Sequence, residues 1–250
     1  MINGISNYEL SAETSYLASQ IPFLEIEMEK SDSKELLLLG CGDGQALNEL
    51  AARKESWSFC GVDFNSDYIA KAKIGSPDNV VYLNASFAEI TKEVGAYGMI
   101  ASPGLLSWIS EQDRAEVFRI LKECSKPGTL ALFGYDSEFF WGELKGVRET
   151  FLDLWMSIGD LEQARMITHG LVRQMPVSSK RKREHLERML TEESALKHWL
   201  FQPYWQPFFP SEINARMSGA GFIPESEQLN SMTHLLSPSP YLESLYRRVE

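Results

Sequence analysis

The stretch Glu35 to Gln45, E-L-L-L-L-G-C-G-D-G-Q, restricts the fold more than any other part of the chain. Four leucines, Leu36 to Leu39, stand between a charged residue and a glycine. A run that short and that apolar suits a strand buried on both faces of a parallel sheet. Gly40, Gly42 and Gly44 follow, and Ala46, Leu47, Leu50 and Ala51 then fall at helical spacing. A strand, a glycine turn and a helix N-terminus make a cradle for a nucleotide-like ligand. Glycine accepts positive φ there and presents no Cβ to the ligand.

From Glu35 to about Tyr135 apolar runs alternate with amphipathic ones. The pattern predicts strands at 35–39, 57–62, 80–83, 97–101 and 129–135 and helices at 45–54, 66–74, 86–93 and 111–124. The expected fold is an α/β, doubly wound, mainly parallel sheet. Pro127-Gly128 marks the turn into the fifth strand. Upstream, Ser11 is a cap for a helix running to Ile21, which Pro22 interrupts. Downstream, helices are expected at about 142–157, 160–173 and 179–198, as an insertion after the fifth strand. The run F-Q-P-Y-W-Q-P-F-F-P at 201–210 cannot be a regular helix, because Pro203, Pro207 and Pro210 forbid it. Ser211 then caps a helix to about Ser218, and 222–227 reads as a late strand. The chain divides into an N-terminal helical cap (1–34), a ligand-binding core (35–140), a helical insertion or lid (141–207) and a return to the sheet (208–250).

Composition narrows the partners. Of 250 residues 44% are hydrophobic, enough for a large core, and the formal net charge of -11 argues against a general nucleic-acid or membrane-surface binder. Cys41, Cys60 and Cys124 lie in apolar stretches without a framework spacing, which points to reduced thiols in a cytoplasmic protein. No cluster reads as a metal site, and oligomeric state is not legible.

The loop discriminates among nucleotides. A dinucleotide fold reads G-x-G-x-x-G, whereas here G-x-G-x-G is followed by Ala46. No Gly-Lys-Ser/Thr is present, no basic residue lies in the loop, and Asp43 would repel a pyrophosphate. An acidic loop suits the cationic S-adenosylmethionine better. Asp63 ends the second strand, where a carboxylate can accept from ribose hydroxyls. Asn84, Ala85 and Ser86 end the third, where a polar side chain and a backbone amide can read an adenine edge. Ser86 alone reads more simply as a helix N-cap.

L-L-L-L-G-C-G-D-G, G-V-D-F-N, the polar end of strand three and K-P-G-T-L-A-L-F together resemble the class I S-adenosylmethionine-dependent methyltransferases over residues 35–135. S-W-I-S-E-Q-D-R, G-Y-D-S-E-F-F-W and H-W-L-F-Q-P-Y-W-Q-P-F-F are similar, more loosely, to bacterial methyltransferases with a methyltransferase regulatory domain, a group that includes protein-lysine methyltransferases. The resemblance implies S-adenosylmethionine held by Tyr8, Gly40, Cys41, Gly42, Asp43, Asp63, Phe64, Asn84, Ala85, Ser86 and Ser102, with Tyr8-Glu9 covering it. The family has an acid two residues before the first glycine, where this chain has Leu38, so Asp43 or Glu9 would supply that carboxylate. It often has His-Gly-Val after strand four, where this chain has Ser102-Pro103-Gly104.

Methyl transfer mainly requires positioning and exclusion of water, so no catalytic triad is expected. Trp108, Tyr135 and His198 are the catalytic candidates, and Trp108, Tyr135, Trp141, Tyr204 and Trp205 the substrate-side aromatics. Aromatic walls stabilise cations, although any one of these rings is more often a core residue, and His198 more often a structural or surface one. The basic run Lys180-Arg181-Lys182-Arg183 reads as a solvated helix start. The expected activity is methyl transfer to a nitrogen or oxygen nucleophile, a protein lysine or a small molecule. A methyltransferase-like domain that binds without turnover stays open on the sequence alone.

Overall fold

The computed structural model describes residues 20–177, 180–192, 204–225 and 241–249. Its centre is one seven-stranded sheet in the order β3-β2-β1-β4-β5-β7-β6. The strands are β1 (Glu35–Leu39), β2 (Ser58–Asp63), β3 (Val80–Asn84), β4 (Tyr97–Ser102), β5 (Ser125–Asp136), β6 (Phe222–Pro224) and β7 (Tyr241–Arg248). The first five pair in parallel, and β7 runs antiparallel between β5 and β6. Parallel strands buried on both faces need apolar side chains throughout, and Leu36 to Leu39 supply them at 1% exposure or less.

Helices cover both faces. On one side α1 (Ile21–Met28), α2 (Gln45–Arg53) and α3 (Ser66–Ala72) pack on Leu36, Leu38, Phe59, Met99, Ala101, Leu130 and Leu132. On the other, α4 (Glu111–Glu123) and α9 (Pro210–Gly219) pack on Leu37, Leu39, Val62, Ile100, Ala131 and Phe133. Between β5 and α9 come α5 (Glu138–Trp141), α6 (Lys145–Ile158), α7 (Leu161–Gln174) and α8 (Lys180–Thr191), which share a core of their own around Phe140, Trp141, Phe151, Val172 and Leu186.

Several expectations are corrected. Pro22 lies in the first turn of α1, a helix not foreseen, where its missing N–H is no loss; the helix it was expected to interrupt falls on residues before 20. The helix expected at 86–93 is two short 3-10 turns, Phe87–Glu89 and Lys92–Val94. Glu89 closes the first by accepting from the Ser86 N–H, and Gly95 ends the second at φ 115°. Pro127-Gly128 is not a turn before β5 but a bulge inside it, where pairing jumps from Tyr97↔Ser125 to Met99↔Leu130. α9 starts at Pro210, not Ser211, with Glu212 accepting from the Phe209 N–H at 2.8 Å. The late strand is only Phe222–Pro224, and β7 was not foreseen. The basic run is not a solvated face either. Lys182 is buried, donating to Phe139 O at 3.0 Å, and Arg183 donates to Val172 O and Met175 O at the C-terminal end of α7. That is where positive charge is favourable on a helix. The Ser11-capped helix, Tyr8, Glu9 and His198 lie outside the described residues.

One glycine serves packing rather than a ligand. Gly44 has φ 75°, and a Cβ there would lie 2.5 Å from Ala72 Cβ and 2.6 Å from Tyr82 Oη. Gly44→Ala is therefore expected to cost roughly 2–5 kcal/mol, from left-handed strain plus overpacking. Equilibrium urea unfolding checks this, and a loss below about 1 kcal/mol would show that α2 shifts freely.

Candidate functional site

The C-terminal ends of the five parallel strands lie along one edge, and the chain leaves each through a polar turn. After β1, Gly40 and Gly42 take φ 72° and 57°, conformations that L side chains rarely adopt. The Gly40 and Cys41 N–H groups both donate to Val62 O, at 2.8 and 3.0 Å, so the loop folds back over β2. Asp63 then braces it. Its Oδ2 accepts from the Gly42 N–H at 3.0 Å and its Oδ1 from the Asn65 N–H at 2.9 Å. Burial raises the pKa of this carboxyl, and the two hydrogen bonds oppose the shift. Each oxygen retains a second lone pair for a ligand. Asp43 accepts from the Gln45 N–H at 3.3 Å on the exposed side of the loop. Cys41 is buried beneath it, its thiol pKa pushed up by desolvation.

Phe64, next to Asp63, is 78% exposed. An aromatic ring left in solvent at the mouth of a strand-end cleft is an uncommon arrangement for a core-forming residue and offers a flat apolar wall. Asn84 donates through Nδ2 to Asp63 O and Phe64 O, at 3.2 and 3.0 Å, and the Ala85 N–H donates to Asp63 O at 3.1 Å. These groups fasten β3 to the end of β2. Ser86 is a capping residue, its N–H and hydroxyl both directed at Glu89. Ser102 is buried and donates to Leu39 O at 3.3 Å, joining β4 to β1. Leu38 is 1% exposed within the sheet core, so it takes no part in the cleft.

The second half of the edge is aromatic. Trp108 and Trp205 lie 6.2 Å apart and Trp141 and Trp205 5.4 Å apart, the latter edge to face. Arg148 stands 5.9 Å over the Trp205 ring. Tyr204 is half exposed and outside this group. The segment carrying Trp205 is laid across β4 and β5: the Gln206 N–H donates to Ser107 O at 2.8 Å and the Phe208 N–H to Asp136 O at 2.9 Å. Buried Arg114 holds it from below, reaching Leu106 O, Ile109 O and Gln206 Oε1. Tyr135 is corrected from a ligand-side residue to a core one. It is fully buried, its hydroxyl 3.2 Å from Ser244 Oγ and its ring against Phe208.

Strand alternation turns the next residue, Asp136, toward the other face. Sequence reasoning assigned it no role. Its Oδ2 accepts from Trp205 Nε1 at 2.7 Å, and its N–H donates to Ser107 Oγ at 2.8 Å. Burial lifts its carboxyl from the usual 3.8 to about 7, against the lowering by the Trp205 bond. The signal was present in G-Y-D-S, an acid ending a strand just as Asp63 does. Among the described residues no group of three His, Cys, Asp or Glu could hold a metal ion, and no helix is long and apolar enough to cross a membrane.

Residues 36–128 match the family model described as "Methyltransferase domain". This stretch is similar to methyltransferase domains. S-adenosylmethionine is the cofactor that goes with that family and fold. PKMT2 from Rickettsia typhi in complex with AdoHcy superimposes on 93% of this chain and 54% of its own, with a TM-score of 0.73 at 14% identity. An S-adenosylmethionine-dependent methyltransferase from Mesorhizobium loti covers 92% of this chain and 98% of its own, with a TM-score of 0.55 at 14% identity. An uncharacterized Synechocystis protein is 24% identical over 200 residues, 73% of this chain and 39% of its own length. An uncharacterized Rickettsia prowazekii protein is 23% identical over 125 residues, 48% of this chain and 50% of its own. The chain thus spans half or less of the curated relatives it matches. The residues of the matched stretch fit the cofactor: the positive-φ loop carries no basic side chain, an acid lies under it, and an exposed ring stands beside it.

Two outcomes follow from the strand-end acids. Asp63→Ala leaves two N–H groups without their acceptor and should lose roughly 2–4 kcal/mol, while Asp63→Asn loses less, as urea titrations would register. For Asp136 the folded chain holds a proton between pH 3.8 and about 7 that the unfolded chain releases. Its contribution is full below the lower value and is lost as pH rises through the upper one. Asp136→Asn should therefore gain on the wild type by on the order of 2 kcal/mol between pH 5 and pH 8. A constant difference across that range would place the carboxyl in solvent.

Proposed function

We propose that the chain is an S-adenosylmethionine-dependent methyltransferase acting on a nitrogen or oxygen nucleophile, and that a protein lysine is the acceptor. The observation that carries the first part is the Asp63-braced glycine loop with Phe64 exposed beside it, inside the matched domain. The cofactor supplies an electrophilic methyl group on a sulfonium centre. Gly40, Gly42 and Asp43 hold the methionine portion, Asp63 the ribose and Phe64 the adenine face. Ser102 and Trp108 border the acceptor side. The protein-lysine reading is supported by the regulatory-domain resemblance in the insertion and in the 201–210 segment. It is also supported by the shape shared with PKMT2 over 93% of this chain.

Calorimetric titration and thermal unfolding with S-adenosylmethionine, S-adenosylhomocysteine and, as control, NAD test the reading. A ligand at 100 times its dissociation constant stabilises by about 2.7 kcal/mol, a shift of several degrees. Phe64→Ala should weaken S-adenosylhomocysteine about tenfold while changing stability by less than about 0.5 kcal/mol, since the side chain is mostly exposed. Failure of both sulfur ligands to bind at millimolar concentration would end the methyltransferase reading.

A further inference from the structure

Asp63 and Asp136 project from the same face of the sheet, because Phe59 and Asp63 alternate in step on β2 and Leu132 and Asp136 on β5. β1 and β4 lie between them, so the two acids stand three strand spacings apart, about 14 Å. With the ribose at Asp63 and the adenine at Phe64, as proposed above, the remaining end of the cofactor would point from β2 across β1 toward β4 and β5. Asp136 is the acid on that side.

We propose that Asp136 receives the methyl acceptor as an ammonium ion, beside the rings of Trp108 and Trp205, and takes its proton. The proposal rests on the methyl-transfer reading above. An ammonium nitrogen has no lone pair and cannot attack carbon. In the step assigned to Asp136 one N–H bond of the ammonium breaks, an O–H bond forms on the carboxylate, and a neutral amine with a free lone pair remains. The charge balances, since a cation and an anion become two neutral groups.

Three features favour this role over a purely structural one. Trp205 donates its indole N–H to the acid and Trp108 lies 6.2 Å from Trp205, so aromatic surface borders the carboxyl, where it can stabilise a cation as it loses water. Glu243 lies on the same face, on β7 opposite Gly134, and is also raised to about 7 by burial, so a second acid adds negative potential. A carboxyl titrating near neutrality is matched to trading a proton at physiological pH. If Asp136 served only to hold Trp205, an asparagine would accept the same indole N–H without burying an acid. Other charged or titratable groups around this corner are Tyr241 on β7, Glu138 after β5 with its ion-pair partner Lys145, Lys182 on Phe139 O, Arg148 over Trp205 and His185 against Trp141. His185 is held neutral, its pKa lowered to about 4, so it does not compete for the proton.

The test uses the full chain saturated with S-adenosylhomocysteine, with n-butylammonium as probe and 1-pentanol as its neutral counterpart, read by tryptophan fluorescence. At pH 8 butylammonium should bind at least tenfold more tightly than pentanol. The preference should shrink about tenfold by pH 5.5, as Asp136 protonates. Asp136→Asn, which keeps an acceptor for Trp205, should bind S-adenosylhomocysteine as the wild type does and lose the preference at both pH values. An Asp136→Asn protein that still prefers the cation, or a wild-type preference independent of pH, would overturn the proposal. Should the variant fail to fold, the pH series is repeated on Glu243→Gln, which leaves Asp136 as the acid on this face raised to about 7: a preference that still shrinks supports the proposal, and one that no longer depends on pH overturns it. S-adenosylhomocysteine binding without any cation preference sinks only this inference. Absence of that binding sinks the methyl-transfer reading with it.

Discussion

The carboxylate of Asp63 holds together two pieces of chain that would otherwise be free to separate. It accepts from the loop after β1 and from the turn after β2 at once, each oxygen serving one N–H. A buried acid is an unfavourable choice for such a brace unless its negative charge has use. Two neutral acceptors would satisfy the same N–H groups at lower desolvation cost. Retaining the acid leaves lone pairs aimed along the strand end, where hydroxyl groups of a sugar can meet them. Loop shape is thereby tied to a single side chain, and a substitution at Asp63 changes it.

The other half of the edge is built on the same logic but with the chain coming from far away. The 204–209 segment gains its place from hydrogen bonds to Ser107 and Asp136 and from Arg114, whose guanidinium spans Leu106, Ile109 and Gln206. Pro207 in that segment removes a backbone donor, so one fewer N–H group demands a partner. The N–H groups of Gln206 and Phe208 are spent on the sheet edge. The result is an aromatic group in which Trp141, expected on the substrate side, is a buried core residue of the insertion, and Trp108 and Trp205 pack against that core.

The parallel half of the sheet was legible because each of its strands is a short apolar run flanked by glycine or charge. Leu36–Leu39 and Leu130–Phe133 admit little else. β7 was not, because Tyr241–Arg248 places Leu242, Leu245 and Tyr246 at helical spacing and sprinkles charge on both faces. Only its pairing with β5 makes it a strand, and pairing is a tertiary fact. The strand-end acids divide the same way. Asp63 stood out beside the glycine motif, while Asp136 was hidden by ending the fifth strand one residue early, at the aromatic Tyr135. The roles of Asn84 and Ala85 in joining β3 to β2 were invisible, since a side chain's partner across a turn leaves no trace in spacing.

The inward turn of Lys182 and Arg183 has a bearing on how the protein meets other molecules. A run of four cations in the chain suggests a landing place for a polyanion, yet two of the four are committed to carbonyl groups within the insertion. What faces outward is governed by the net charge of -11. Positively charged molecules are drawn in by that field from beyond contact range, and anionic ones are slowed. The rate of first encounter, rather than the strength of the final complex, is then the quantity most sensitive to ionic strength, because salt shortens the reach of the field to about 10 Å at 0.1 M.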